Sequence, residues 1–379
     1  MNFELSKKQI ELKNEIVQFA RKHLNEEKYY ESFSYELWEK VSQFGLLGIT
    51  LDEALGGLGE SYLTAAIMFE ALGYACKNNG LVFVINNHIW VAQNLIALYG
   101  SKELKQRYVP YMITGKHIGA IAITEADSGS DALGMRSIAV DCGDYYELTG
   151  SKMYVSNGPI ADIFIVFAIT KTIPNKCLTA FVVEKKFSGV KVSKHIDKMG
   201  LSACPTSEIV FDHCRIPKDN VLGKIDQGGV LMTSALEWER IFEFVPHIGA
   251  MQRVMESCVE HVNSRTQFGK VIGEYQAISH KIADMKVRIE MARMMMYKVA
   301  WLKDQGKSAY LESSIFKLYV SDNYINTCRE AIQIFGAYGY AKEYDVEREL
   351  RDAIASSIYS GTNEIQKNTI YQIGLMDMI

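Results

Sequence analysis

The chain has 379 residues, of which 48% are hydrophobic and 23% are charged, and its net charge is −4. These values are typical of a soluble globular protein with two or three packed regions, and the mixed charges exclude the basic face of a nucleic-acid binder. The seven cysteines form no CxxC pair and the eight histidines no HExxH pair. The sequence therefore predicts reduced thiols, a cytoplasmic location and no metal site.

Residues 1–118 are predicted to form an N-terminal helical domain. Pro110 is the first proline in the sequence, and proline breaks helix interiors. The segment Met1 to Lys8 has neither the apolar stretch of a signal peptide nor the Arg/Ser-rich pattern of a transit peptide. The apolar stretch Gly80 to Tyr99 is interrupted by five Asn, Gln and His residues. It predicts a buried helix, and no membrane partner is expected.

Residues 119–225 are predicted to form a middle β domain. Short β-rich runs occur at Ile163–Ile169, Leu178–Val183 and Ile209–Phe211, and turn residues separate them. The runs do not alternate with helices and no GxGxxG follows a strand, so a Rossmann domain is not expected.

Residues 226–379 are predicted to form a C-terminal helical bundle. Apolar residues recur there at intervals of four and three, which places them on one face of a helix. The residues of this stripe are Ile278, Ile282, Met285, Ile289, Ala292, Met296 and Val299.

Two segments in the middle region could contact a flat polar ligand. Ala122–Asp131 is a Ser/Gly/Asp loop whose N–H groups and hydroxyls can approach a ligand closely, although such loops are usually turns. Tyr154 and Ser156 alternate on one strand face, which forms an aromatic platform beside a hydroxyl. The alternative is a strand with one half-exposed tyrosine.

Three segments in the C-terminal region have a similar character. In Arg265–Gln276, an arginine is placed to meet a phosphate and Phe268 to stack on a ring, although a helix–turn–helix junction explains the pattern almost as well. Gln333–Tyr340 reads as a helix C-terminus with closely spaced glycines. In Arg351–Gln366, Gly361-Thr362 would begin a helix whose N–H groups could bind a phosphate or carbonyl oxygen.

In this order, the five segments resemble the acyl-CoA dehydrogenase superfamily over essentially the whole chain. The resemblance implies a mostly α fold with a central β domain: an N-terminal helical domain, a small β-barrel-like domain and a C-terminal four-helix bundle. It also implies FAD, a homotetramer, and an electron acceptor such as an electron-transfer flavoprotein. The implied reaction is α,β-dehydrogenation of an acyl thioester.

The resemblance also implies the site residues. In the family pattern, Thr124 would hydrogen-bond the isoalloxazine, and Arg265 and Phe268 would reach the FAD of a neighbouring subunit. The implied FAD-binding residues are Ile121, Ala122, Ile123, Thr124, Ser128, Gly129, Ser130, Tyr154, Val155, Ser156, Arg265, Phe268, Gln276, Gln333, Gly336, Ala337, Thr362 and Glu364. The implied substrate-binding residues are Ser130, Tyr359, Ser360 and Gly361.

The sequence departs from the pattern at the catalytic base. Many members have a glutamate immediately before Gly-Thr, but Ser360 stands here, and a serine hydroxyl is too weak a base. A smaller set, similar to isovaleryl- and long-chain enzymes, has the base in a Leu-x-x-Glu-Arg context, which Leu236–Arg240 matches. Glu239 is therefore the expected base. Glu237 is the nearest rival, about 200° around the helix, and Pro246 is expected to bend this helix.

Other features point to a sub-branch. Leu201–Phe211 and Ser360–Lys367 resemble enzymes of secondary metabolism that oxidise acyl or aminoacyl groups on carrier proteins, such as prolyl-carrier-protein dehydrogenases. Ser202 replaces a frequent arginine and Ala126 a frequent proline. A flavin oxidase or monooxygenase, or a catalytically silent acyl-binding flavoprotein, remains an alternative. A lysine-rich stretch could dock an acidic carrier or simply guard a strand edge; its residues are Lys185, Lys186, Lys191, Lys194 and Lys198.

Overall fold

The computed structural model describes residues 4–374, so the ends of the predicted first and last domains lie outside the described residues. A helical region comes first, a sheet follows, and a second helical region ends the described chain. This architecture confirms the predicted fold class. The boundaries 1–118, 119–225 and 226–379 stay predictions.

The N-terminal region contains one long apolar helical segment. Within it, a π-helical segment at Asn87–Gln93 joins two α-helices into the span Asn79–Tyr99. The span is long and apolar enough to cross a membrane, but 89% of its most apolar window is buried inside the protein, as the sequence predicts. The helices are α1 (Lys7–His23), α2 (Tyr35–Gln43), α3 (Tyr62–Ala75), α4 (Asn79–Asn86), α5 (Asn94–Tyr99) and α6 (Lys102–Ile113).

The middle region forms an eight-stranded sheet. Its strands are β1 (Gly119–Ala122), β2 (Ile138–Asp141), β3 (Tyr145–Ser156), β4 (Ile163–Lys171), β5 (Cys177–Glu184), β6 (Val190–Val192), β7 (Thr206–Pro217) and β8 (Val221–Leu222). The strand order is β6-β7-β3-β2-β4-β5-β8. Residues Ile163–Ile169 of β4 are buried on both faces, which explains their uninterrupted hydrophobic run. β1 pairs in parallel with the first half of β4, so the sheet directs the chain after Ala122 into the candidate loop.

The C-terminal region is again helical, with a two-stranded hairpin. Its elements are α7 (Gly228–Phe242), α8 (Val245–Ser264), β9 (Thr266–Gln267), β10 (Lys270–Val271), α9 (Gln276–Asp304), α10 (Tyr310–Phe335), α11 (Ala337–Tyr340), α12 (Val346–Ile354) and α13 (Asn363–Gly374). In α9 the predicted stripe faces inward, with Met285, Ile289 and Met296 fully buried.

The expectation that Pro246 bends one helix is wrong. α7 ends at Phe242, and Pro246 lies in the first turn of a separate helix, α8. Proline is tolerated in a first turn because the backbone N–H that it lacks would have no partner there.

Two glycines fix the position of α8 against α3. A Cβ added to Gly73 would lie 2.0 Å from the carbonyl oxygen of Pro246, and one added to Gly249 would lie 2.0 Å from that of Glu70. Neither position has room for a side chain, so the two helices touch backbone to backbone. This contact fixes the start of α8 and therefore the end of α7, which carries the candidate base.

Candidate active site

Glu239 meets the segment between α12 and α13. The Ser360 Oγ donates a hydrogen bond of 2.8 Å to Glu239 Oε1. Ser360 is buried and has a φ of +59°, in the left-handed region that non-glycine residues rarely adopt. A strained residue touching a carboxylate is typical of a functional site.

Side chains from two helices hold this segment in place. Arg240 Nε donates to the carbonyl oxygen of Ser360 at 3.2 Å. Gln366 Nε2 donates to the carbonyl oxygens of Ser360 at 3.2 Å and Gly361 at 2.8 Å. Because their carbonyls are held in place, the N–H groups of this turn have fixed directions.

The environment of Glu239 favours a carboxyl group that can exchange a proton. Burial raises its pKa, while the hydrogen bond from Ser360 and then the charges of Arg240 and Lys317 lower it. Burial is the largest of these effects, so the pKa lies above its usual value. A carboxylate with a raised pKa is a better general base near neutral pH.

Glu237 lies on a different side of α7, as helix geometry predicts. Its carboxylate accepts hydrogen bonds from Lys303 Nζ at 2.7 Å, from the Ala309 N–H at 2.8 Å and from Ser308 Oγ at 3.3 Å. These contacts place the rival glutamate at the α9–α10 loop, away from Ser360.

A third acid, Glu243, escaped the sequence analysis. It follows the last residue of α7, is 1% exposed, and neither carboxyl oxygen has a hydrogen-bond partner within residues 4–374. The signal was present in the sequence: Glu243 is a single acid between Phe242 and Phe244, and it follows Glu239 by four residues. Residues four apart share one face of a helix.

A second group of predicted residues lies where β1 ends beside β3. The Met153 N–H donates to the Thr124 carbonyl oxygen at 2.8 Å. Lys152, whose side chain is fully buried, donates to Glu125 Oε1 at 2.8 Å and to the Ile123 carbonyl oxygen at 3.1 Å. These bonds hold the loop that follows β1 rigidly beside Tyr154.

The members of this second group differ in what they can offer a ligand. Tyr154 is 63% exposed with a φ of +55°, and Gly129 and Ser130 are exposed. Ile121, Ile123, Thr124 and Ser156 are half-buried. The side chains of Ala122 and Val155 lie in the β-domain core, which leaves only their backbones available. Ser128 is buried and donates to the Asp131 carbonyl oxygen at 2.5 Å, so its hydroxyl shapes the loop.

A third group lies on the surface where α8 and α10 end. Arg265, Phe268, Gln276, Gln333, Gly336 and Ala337 are all exposed. The Arg265 guanidinium lies 5.5 Å from the centre of the Tyr338 ring, so the two helix ends are neighbours. Phe268 is 94% exposed and has a φ of +51°. Phe268 and Gly269 both have a positive φ because they form the two-residue turn of the β9–β10 hairpin, and this turn presents the ring to solvent.

The last two predicted residues begin α13. The Ile365 N–H donates to Thr362 Oγ1 at 3.4 Å, so Thr362 caps the helix. Glu364 is exposed in the first turn, and hydrogen bonds from its own N–H and from Thr362 lower its pKa. The expectation that Gly361-Thr362 starts a helix is confirmed.

The chain matches all three domains of one family. Residues 6–116 match the N-terminal domain, 120–214 the middle domain and 226–375 the C-terminal domain of acyl-CoA dehydrogenases. The chain belongs to the acyl-CoA dehydrogenase family. It is an FAD-dependent oxidoreductase that acts on the CH–CH bond of acyl thioesters.

Among its relatives are enzymes that act on carrier-bound prolyl groups. The chain is 37% identical over 340 residues to an L-prolyl-(peptidyl-carrier protein) dehydrogenase of Pseudomonas fluorescens, covering 89% of this chain and 90% of the relative. The crystal structure of the prolyl acyl carrier protein oxidase AnaB is 38% identical, with a TM-score of 0.96 over 98% of this chain and 100% of that one. The FAD complex of PigA is 36% identical, with a TM-score of 0.95 over 99% and 100%.

The residues present fit FAD. The Tyr154 and Phe268 rings are both exposed, so their faces are available to a flat cofactor. The Thr124 hydroxyl has no hydrogen-bond partner within residues 4–374 and lies on the loop that Lys152 and Glu125 immobilise. This side of the sheet offers an aromatic face beside a polar group, which suits a flat heteroaromatic ring.

Proposed function

We propose that this enzyme oxidises the Cα–Cβ bond of an acyl or aminoacyl group bound as a thioester to a carrier protein, with Glu239 as the base. The observation that carries the proposal is the hydrogen bond between Ser360 and Glu239. It holds the carboxylate 2.8 Å from Ser360, which occupies the sequence position before Gly361-Thr362 where many family members have a glutamate. The carrier-bound substrate is supported by the names of the relatives.

In the proposed reaction, Glu239 removes the proton from Cα. The partly buried carboxylate has a raised pKa, which brings its proton affinity closer to that of the substrate. FAD supplies the acceptor for the hydride that leaves Cβ. The two steps together remove two hydrogens and leave a carbon–carbon double bond.

Removal of the α-proton requires polarisation of the thioester carbonyl. The N–H group of Ser360 is our candidate donor, because the backbone and not the side chain supplies it. Arg240 and Gln366 hold the Ser360 carbonyl, which is attached to the same Cα as this N–H, and so limit its reorganisation when charge develops on the substrate oxygen. Tyr359, Gly361 and Ser130 complete the proposed substrate contacts.

The cofactor contacts proposed on the same chain are the loop Ile121–Ser130, the strand residues Tyr154–Ser156, and Thr362 and Glu364. The surface group of Arg265, Phe268, Gln276, Gln333, Gly336 and Ala337 is proposed to reach the FAD of a neighbouring subunit. Its exposure in the single chain supports a homo-oligomer, for which a tetramer is our expectation. We further propose a cytoplasmic enzyme, supported by seven free cysteines.

The identity of the electron acceptor distinguishes a dehydrogenase from an oxidase. An electron-transfer flavoprotein is proposed as the acceptor by family resemblance, whereas AnaB is called an oxidase. Oxygen consumption during turnover, compared with reduction of an artificial acceptor, separates these functions. Rapid oxygen consumption without any added acceptor would overturn the dehydrogenase proposal in favour of an oxidase.

The test of the base is flavin reduction in two variants. Glu239→Gln should keep FAD and substrate binding yet reduce its flavin roughly three orders of magnitude more slowly, because the base is lost. Glu237→Gln is the matched control, since Lys303 engages that carboxylate elsewhere. Both are mixed anaerobically with prolyl-loaded and acyl-loaded carrier proteins and with acyl-CoAs, and mass spectrometry then detects loss of two hydrogens.

The rates of flavin reduction distinguish three possibilities. Slow reduction in Glu239→Gln alone supports the proposal. Slow reduction in Glu237→Gln alone transfers the role to Glu237. A wild-type flavin that no thioester reduces would favour the catalytically silent acyl-binding flavoprotein.

A further inference from the structure

Glu243 is a buried carboxyl group to which nothing in the proposed reaction gives a role. Both of its oxygens lack a hydrogen-bond partner, and no lysine or arginine within residues 4–374 forms an ion pair with it. Burial and the neighbouring charge of Glu239 both raise its pKa. A buried polar group without partners destabilises a fold, so its presence here indicates a partner that arrives from outside.

The side chain faces a small cavity beside the proposed catalytic residues. Glu243, Phe83, Asn86 and His247 line this cavity together with three other residues, and its volume is about 10 Å³. That volume holds one small polar group, about the size of a water molecule. Since Glu243 lies one helical turn from Glu239, about 6 Å along the axis, a substrate held at Glu239 can extend to it.

The surroundings of the cavity match the chemistry of a cation. The Phe83 ring centre lies 4.8 Å from that of Tyr359, and Phe244 lies 5.2 Å from the same ring. Aromatic faces and a carboxylate together are the usual environment of a bound ammonium group. His247 cannot supply the positive charge, because burial and the charge of Lys317 lower its pKa to about 3. Lys317 is itself engaged, donating to Asn363 at 2.6 Å.

We infer that Glu243 binds a protonated amine on the acyl group, so that the substrate is an aminoacyl thioester. This inference rests on the proposed function and specifies its substrate class. Burial and the charge of Glu239 disfavour the charged form of the Glu243 carboxyl group when no ligand is bound. When the amine binds, the carboxyl proton passes to a neutral amine, or to solvent if the amine is already protonated, and the resulting carboxylate pairs with the ammonium group. An acyl group with only carbon at this position leaves Glu243 unpaired and binds less well.

The experiment compares three pantetheine thioesters of matched shape: prolyl, cyclopentanecarbonyl and tetrahydrofuran-2-carbonyl. The first carries an ammonium group, the second carbon and the third a neutral ether oxygen at the same ring position. The FAD-loaded wild type, Glu243→Gln, Glu243→Leu and the control Glu237→Gln are compared by kcat, KM and the change in flavin absorbance on binding.

We expect the wild type and Glu237→Gln to prefer the prolyl thioester by about 100-fold or more in kcat/KM. Glu243→Leu should lose that preference and favour the cyclopentane ring, while Glu243→Gln should lie between them. The loss of preference should appear mainly in KM, because the ion pair between Glu243 and the ammonium group exists both before and after Glu239 removes the Cα proton. Glu243→Leu should melt no lower than the wild type, since it removes an unpartnered buried carboxyl.

Three results would overturn the inference. If the wild type oxidises prolyl and cyclopentane thioesters equally well, Glu243 does not read charge, although the proposed function stands. A preference for the ether would identify Glu243 as a neutral hydrogen-bond donor. If Glu243→Gln shifts the pH dependence of turnover equally for all three thioesters, Glu243 acts on the pKa of Glu239 and does not bind the substrate amine. Should no thioester be oxidised, the proposed function fails, and the binding spectra alone still test the preference for the amine.

Discussion

The contact between Ser360 and Glu239 predicts that the catalytic base can be moved across the site. Their side chains end 2.8 Å apart although they come from different parts of the chain. A glutamate at either position therefore places its carboxylate at nearly the same point. The test is a double variant that carries both Glu239→Ser and Ser360→Glu, compared with each of the two single variants.

The magnitudes follow from the role of a general base. Glu239→Ser alone should slow flavin reduction by roughly 10³-fold, about 4 kcal/mol of transition-state stabilisation. The double exchange should recover most of that loss, because the backbone of Ser360 is already in place. Ser360→Glu alone puts two carboxyl groups within hydrogen-bonding distance. Their repulsion raises one pKa, so the acidic limb of the rate profile should move to higher pH.

The assay is anaerobic stopped-flow bleaching of the flavin, with FAD content and substrate binding checked for every variant. Glu237→Ser is the matched control, because that glutamate faces Lys303. The reasoning is refuted if the double variant binds FAD and substrate normally yet reduces its flavin no faster than Glu239→Ser.

Three further predictions follow from the geometry. Ser360→Ala removes the hydrogen bond that lowers the Glu239 pKa, so the acidic limb of flavin reduction should move to higher pH; an unchanged profile would show that the bond has no influence. Burial raises the pKa of Glu125, but hydrogen bonds from Lys152 and Ser137 lower it to about 2, so this carboxylate depends on its buried cation. Lys152→Met removes that cation, and we expect a loss of about 3 kcal/mol in unfolding free energy and weaker FAD retention. The exposed Lys171→Met should show neither effect. Phe268→Ala should lower FAD content and loosen the oligomer in light scattering, and a monomer with full FAD content would contradict the shared site.

The features that could be predicted from the sequence are those with a local signature. The stripe in α9 and the apolar run in β4 are set by the period of the element and by burial. Glu239 could be proposed as the base because its motif lies within one helix. The loop after β1 and the turn before α13 could be found for the same reason, since glycine and hydroxyl residues mark them in the chain.

What the sequence could not supply are contacts between distant residues. The lysine-rich stretch is less cationic in the fold than in the sequence, because Lys191 pairs with Asp212 and Lys186 pairs with Glu184. Lys191 lies in β6, at the edge of the sheet, which favours the strand-edge interpretation over carrier docking. Pro246 was misjudged because the end of α7 depends on how α8 packs against α3.

Three glutamates in α7 and at its C-terminal end show how a fold divides one residue type among different roles. Glu239 and Glu243 are four residues apart and share a helix face, whereas Glu237 points elsewhere. Glu237 is paired with Lys303, Glu239 receives a hydrogen bond from Ser360, and Glu243 has no partner within residues 4–374. Environments that separate the behaviour of neighbouring carboxyl groups mark functional assignments. On our proposals, the paired Glu237 is structural, the hydrogen-bonded Glu239 exchanges the proton, and the unpaired Glu243 binds the positive charge of the substrate.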